Sequence, residues 1–153
     1  MGGSYRAFVL SQFSSIEGPQ VFFLVSSGFI DETLKEEISN VLNLNVSKDY
    51  FIFRIGDLTT YNIQFDIRSS HARGNCELLM LSYITNRFPL KKEQKYFLKK
   101  AKEYITFLKS EENLAYIFHL NEIIDMTEQE FTIIENLYGE CLERLRHMLE
   151  DHA

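Results

Sequence analysis

Apolar and polar residues follow two different periods along the chain, and the period changes near its middle. The first half carries short apolar runs typical of strands, bounded by turn signals such as Gly56-Asp57. The predicted strands span residues 5–13, 20–26, 50–55, 61–68 and 77–85. Gly18 and Pro19 predict a hairpin turn between the first two strands, because glycine tolerates a positive φ and proline fixes its own.

A helix is predicted between the second and third strands. Asp31 stands where an N-cap residue is expected, and the helix continues to about residue 43. Its apolar face consists of Leu34, Ile38, Val41 and Leu42. This face requires an apolar surface to cover it, which a neighbouring sheet would supply.

The second half is predicted to be helical. Residues 91–108 carry apolar side chains at helical spacing. Thr127 and Glu130 form a capping box at the start of a last helix of more than five turns. Residues 111–124 are compatible with a short helix or with a packed connector.

Four of the five strand runs are apolar at adjacent positions, which predicts a sheet buried on both faces. Only residues 61–68 alternate cleanly between apolar and polar side chains. One helix after the second strand and two after the fifth would cover the two faces. The predicted fold class is therefore α+β, an α-β-α sandwich around a five-stranded, mainly antiparallel sheet in the order ββαβββαα.

Length and composition predict one domain over residues 1–153, with residues 1–4 left out of the fold. Cys76 and Cys141 lie far apart with no CxxC spacing, which predicts two buried or half-buried free thiols. No apolar run approaches the roughly 18–20 residues of a transmembrane helix. We expect a soluble, cytoplasmic protein without a metal or a cofactor.

Charge is unevenly distributed. The net charge of −6 disfavours a general nucleic-acid binder. Residues 87–110 nevertheless hold 8 basic and 2 acidic residues, whereas residues 111–153 hold 2 basic and 11 acidic ones. The basic helix is either a solvated face balanced by the acidic last helix or a weak, peripheral contact for an anionic membrane or an acidic partner. The candidate contact residues are Arg87, Lys91, Lys92, Lys95, Lys99 and Lys102.

Two segments resemble a known family. Residues 13–21 (FSSIEGPQV) are similar to the hairpin that opens the N-terminal longin domain of the nitrogen permease regulator-like 2 type, and residues 75–83 (NCELLMLSY) are placed like its fifth strand. The element order also resembles the longin domain, a member of the roadblock/longin superfamily. This resemblance implies a non-catalytic adaptor in vesicle trafficking or in the regulation of a small GTPase.

The resemblance also implies a partner interface. In a longin sheet the second strand lies at an edge beside the first helix, where it can pair with another chain. Here that strand carries neither a charge nor a proline in its apolar run. We expect a small GTPase, a longin- or roadblock-type protein or a second copy of this chain to bind there. The candidate residues are Val21, Phe22, Phe23, Leu24, Val25, Leu34 and Ile38.

No catalytic motif accompanies these features. The sequence contains no HExxH, no GxxxxGK[ST] and no GxGxxG, so we expect no enzyme. The compact reactive group is the loop that carries His71, Arg73, Cys76 and Glu77, where a thiol could meet a base. A small cytosolic enzyme using His71 and Cys76 is therefore one alternative. A purely structural homodimer subunit is the other.

Overall fold

A computed structural model describes residues 5–14, 18–28, 31–41, 49–69, 76–87, 91–120 and 125–150. The strands are β1 (Arg6–Ser14), β2 (Gly18–Ser26), β3 (Tyr50–Ile55), β4 (Leu58–Arg68) and β5 (Cys76–Thr85). The helices are α1 (Glu32–Val41), α2 (Lys91–Ser110) and α3 (Glu128–Glu150), and a short 3₁₀ helix spans Leu114–Phe118. The predicted order ββαβββαα is confirmed. The ambiguous stretch between the last two helices contains the 3₁₀ turn.

All five strands belong to one antiparallel sheet, in the spatial order β2-β1-β5-β4-β3. The predicted α+β class is confirmed, and β2 lies at one edge of the sheet as expected. β3 forms the other edge. β1, β5 and β4 lie between them and have a neighbouring strand on each side.

The Gly18-Pro19 signal falls at the start of β2. Gly18 has a φ of +81°, which glycine adopts without strain. Pro19 opposes Phe13 in the β1–β2 ladder, a position tolerated because β2 is an edge strand. The middle of the predicted turn, residues 15–17, lies outside the described residues.

Helices lie on both sides of the sheet because successive residues of β1 point to opposite faces. Phe8 and Leu10 belong to a large core with residues of α2 and α3, whereas Ala7 and Val9 pack with Ile38 of α1. This arrangement is the α-β-α sandwich that was predicted from strands with apolar residues at adjacent positions.

Both predicted helix starts are seen. The backbone N–H of Leu34 donates to the Asp31 carboxylate at 2.8 Å. The backbone N–H of Glu130 donates to the Thr127 hydroxyl at 3.1 Å, and that hydroxyl donates to the Glu130 carboxylate at 3.0 Å. The side chain of Val41 and all of Leu42 lie outside the described residues.

Two predictions about burial are wrong. We expected β3 to be covered on both faces, but Ile52 and Phe53 remain 40% and 39% exposed because an edge strand has a neighbour on one side only. We also expected both thiols to be at least half-buried. Cys141 is buried under α2, whereas Cys76 is exposed at the first position of β5.

Candidate partner interface

The edge strand β2 and helix α1 lie side by side, so the sequence-predicted interface forms one continuous surface. Its seven residues divide by burial. Phe23, Val25 and Ile38 are 2%, 7% and 2% exposed and belong to the core of this chain. Val21, Phe22, Leu24 and Leu34 are half-buried and are the members that a partner can reach.

A β-bulge decides which way the β2 side chains point. Leu10 opposes Phe23 and Ser11 opposes Val21, so Phe22 is the additional residue of β2. Phe22 and Phe23 consequently pack on the same side of the sheet, with ring centroids 4.6 Å apart. Phe22 also contacts Phe118 at 4.5 Å between ring centroids, so it supports the fold more than it serves a partner.

A groove of about 590 Å³ follows the outer edge between β2 and α1. Val21 and Leu24 are among its lining side chains, and α1 supplies a charged rim. On that rim Lys35 and Glu32 form a salt bridge of 3.2 Å. The arrangement suits an extended segment that pairs with the β2 backbone while its side chains enter the groove.

The basic helix α2 presents a second surface. Its outer face carries lysines that are all exposed and that form no salt bridge within the described part of the chain. They are Lys91, Lys92, Lys95, Lys99, Lys102 and Lys109. Two carboxylates of the acidic α3 are engaged within that helix, where Glu140 pairs with Arg144 and Glu143 with Arg146.

Arg87 has a different role from the lysines. Its guanidinium pairs at 2.9 Å with Glu93, whose side chain is buried. The Tyr83 hydroxyl donates to the other Glu93 oxygen at 2.9 Å. Burial and the nearby Glu93 charge raise the pKa of Tyr83 well above its ordinary value, and the same causes, with Tyr50, raise that of Tyr61 to about 12. This cluster fixes the start of α2 against the sheet.

Sequence reasoning missed the role of Glu93, although one signal was present. Glu93 occupies the first position of the series continued by Phe97, Ala101, Tyr104 and Leu108, all of which are buried. A carboxylate on the apolar face of a helix indicates a buried partner. The series therefore marks Glu93 as a buried, paired acid.

The proposed reactive loop is divided between two faces of the sheet. Cys76 is exposed, whereas Glu77 points inward and contacts His119 and the hydroxyl of Ser69. Neighbouring strand residues face opposite sides, so Cys76 and Glu77 cannot serve one site. His71 and Arg73 lie outside the described residues.

A cavity of about 610 Å³ adjoins Cys76, and Asp66, Arg68, Lys109 and Glu111 are among its lining residues. Its charges are of both signs. Among the described residues, no group of three or more His, Cys, Asp or Glu side chains is placed to hold a metal ion. Nor does the described part contain a helix long and apolar enough to cross a bilayer.

Comparison with known proteins adds no family assignment. No protein-family model matches the chain, and no curated protein matches its sequence. The longin resemblance therefore depends on residues 13–21 and 75–83 and on the element order. The sheet described above is compatible with it.

Proposed function

We propose that this chain is a longin-like, non-catalytic adaptor that pairs through β2 and α1 with a second longin- or roadblock-type subunit. The assembly would act in the cytoplasm, in vesicle trafficking or in the regulation of a small GTPase. The observation that carries the proposal is the position of β2 at the sheet edge, beside a helix and a groove of about 590 Å³ lined by apolar and charged side chains. A strand from a partner would extend the sheet there by backbone hydrogen bonds.

Electrostatics and packing both favour this edge over β3 as the docking edge. On β2, Val21 and Leu24 are held in place by packing with the small α1-side core, so the edge is ordered before binding. α1 adds Glu32, Lys35 and Glu36 at the groove, which can select a partner by charge. β3 carries the exposed Arg54, a charge of the kind that discourages edge pairing, whereas Pro19 of β2 stands at the start of its strand, before the apolar run.

The test is a lysine placed at each edge. Val21→Lys puts a charge at the β2 groove, where the long side chain can still reach solvent and leave the fold intact. Ile52→Lys makes the same charge change at β3 and is the matched control. We expect Val21→Lys to abolish assembly and Ile52→Lys to preserve it.

Two measurements compare the assembly of these two variants. Light scattering of the purified protein reports pairing with a second copy. Affinity capture from a cell lysate, followed by mass spectrometry, reports a longin, roadblock or GTPase partner. The capture is made once with added GDP and once with an added GTP analogue. Equal loss of assembly in both variants, or a wild-type protein that captures none of these and stays monomeric, contradicts the proposal. Circular dichroism confirms that each variant is folded.

A further inference from the structure

The outer face of α2 is a continuous basic row. Lys91, Lys95, Lys102 and Lys109 lie close to one line along the helix, with Lys92 and Lys99 beside it. The row is about 27 Å long at a rise of 1.5 Å per residue. It lies opposite the buried series that begins at Glu93, so the sheet cannot cover it.

No lysine of this row forms a salt bridge within the described part of the chain. The two carboxylates of α2 do not neutralise the row, because Glu93 is buried against Arg87, and Glu103 forms no salt bridge with a lysine of the row within the described residues. The α3 carboxylates Glu140 and Glu143 are engaged by arginines of their own helix. A local positive field therefore persists on a protein whose net charge is −6.

An apolar side chain stands within the row. Leu98 is 40% exposed on α2. Lys95 and Lys102 are three residues before it and four residues after it, so both are its neighbours on the helix surface. An exposed leucine between lysines is the combination that interfacial helices use, with charges on headgroups and an apolar tip below them.

The row is also rigid and stands apart from the partner edge. Five buried residues and the Glu93–Arg87 pair hold α2 against the sheet, so the lysines are presented together. α2 packs on β4, and α1 packs beside β2 on the opposite face. A ligand on α2 leaves the β2–α1 groove open.

We propose that this face of α2 binds the anionic phospholipid headgroups of a membrane surface. A straight row of lysines suits a planar array of charges, because every lysine reaches the surface at the same time. Lysine acts as a point charge without the two-pronged geometry by which arginine selects individual carboxylates. The six-lysine row contains no aromatic side chain on which a nucleic-acid base could stack. The chain would then hold a partner subunit at the membrane.

Flotation with vesicles tests this proposal. Wild-type protein is expected to float with phosphatidylcholine vesicles containing about 30% phosphatidylserine at about 50 mM salt, and to release as salt is raised to about 300 mM. It is expected to stay behind with pure phosphatidylcholine. Lys95→Glu/Lys102→Glu should weaken binding at least about 25-fold, since each of the two lysines contributes about fivefold. Leu98→Ser should weaken binding several-fold at about 50 mM salt.

The control makes the same charge change elsewhere. Arg54→Glu/Arg68→Glu reverses two exposed cations on β3 and β4 and should float almost as wild type does. Equal losses of vesicle binding in the two double variants would mean that binding depends on net charge alone, and would overturn the proposal. Binding to pure phosphatidylcholine without salt dependence would also overturn it. Binding of α2 to polyglutamate, with none to anionic vesicles, would assign the row to an acidic protein instead.

Discussion

The two faces of the sheet differ in what they bury. Toward α2 and α3, large aromatic side chains stack through the layer, with ring centroids of Phe8 and Tyr83 4.9 Å apart and those of Tyr83 and Phe97 6.3 Å apart. Toward α1, a separate small cluster joins Ala7, Val9, Ile38 and Ile84. The first face therefore supplies most of the apolar stabilisation. On the second face fewer buried residues hold α1, which can also contact a partner.

This difference suits an adaptor. A ten-residue helix is marginal by itself, so α1 depends on the few apolar contacts it makes with β1 and β2. A subunit docking along β2 and α1 would add contacts on the side of the sheet that has the smaller apolar cluster. The aromatic side meanwhile keeps α2 fixed, so that its outer lysines remain in one row.

The largest effect is expected from the aromatic face. Phe97 is fully buried between the sheet and α2, and Phe97→Ala should lower the free energy of unfolding by about 3–5 kcal/mol. Phe53→Ala makes the same truncation on β3, where the ring is 39% exposed, and should cost about 1 kcal/mol or less. Urea denaturation measures both values. Similar losses in the two variants would contradict the assignment of the main core to the α2–α3 side.

Much of the sheet could be predicted from the sequence. Residues 50–55 were predicted with the observed bounds, and the alternating pattern of residues 61–68 located β4. β4 begins earlier, at Leu58, because Gly56 adopts a φ of +58° and Gly56-Asp57 forms a two-residue turn between Ile55 and Leu58. Leu58-Thr59-Thr60 lacks the alternation that would have revealed it.

Other features depend on contacts that no local pattern encodes. Glu77 meets His119 across 42 residues of sequence, and neither residue stands in a motif that indicates the other. The bulge at Phe22 leaves no signal within an apolar run. The exposure of β3 follows from its place at the sheet edge, which depends on the order of all five strands.

A smaller effect is expected from the α1 face. Ile38 is 2% exposed, and Ile38→Ala should cost about 2–3 kcal/mol, near the lower end for such truncations because the thin cluster can relax. Amide hydrogen exchange compares the local stability of α1 with that of β5. The α1 amides should lose protection well before those of β5, since α1 can open without the aromatic core. Loss of protection in both elements together would mean that the two faces unfold as one unit.

Alkaline pH provides the smallest effect, and it acts on groups buried on the α2–α3 face of the sheet. Burial, reinforced by Glu140 and Glu111, raises the pKa of the Cys141 thiol to about 12. In the unfolded chain the thiol returns to an ordinary pKa near 9 and loses its proton first. The unfolded state then binds fewer protons than the folded state, so the free energy of unfolding falls as pH rises.

Ionisation of this thiol in the unfolded chain should lower the free energy of unfolding by about 1 kcal/mol between about pH 9 and about pH 10. Tyr61 and Tyr83 add to the loss above about pH 10, because their pKa values are also raised in the folded protein. Urea denaturation at the two pH values should show a smaller decline in Cys141→Ala than in wild type. Cys76→Ala, which removes an exposed thiol, should keep the wild-type decline. Parallel declines in wild type and Cys141→Ala would assign the alkaline sensitivity to groups other than the Cys141 thiol.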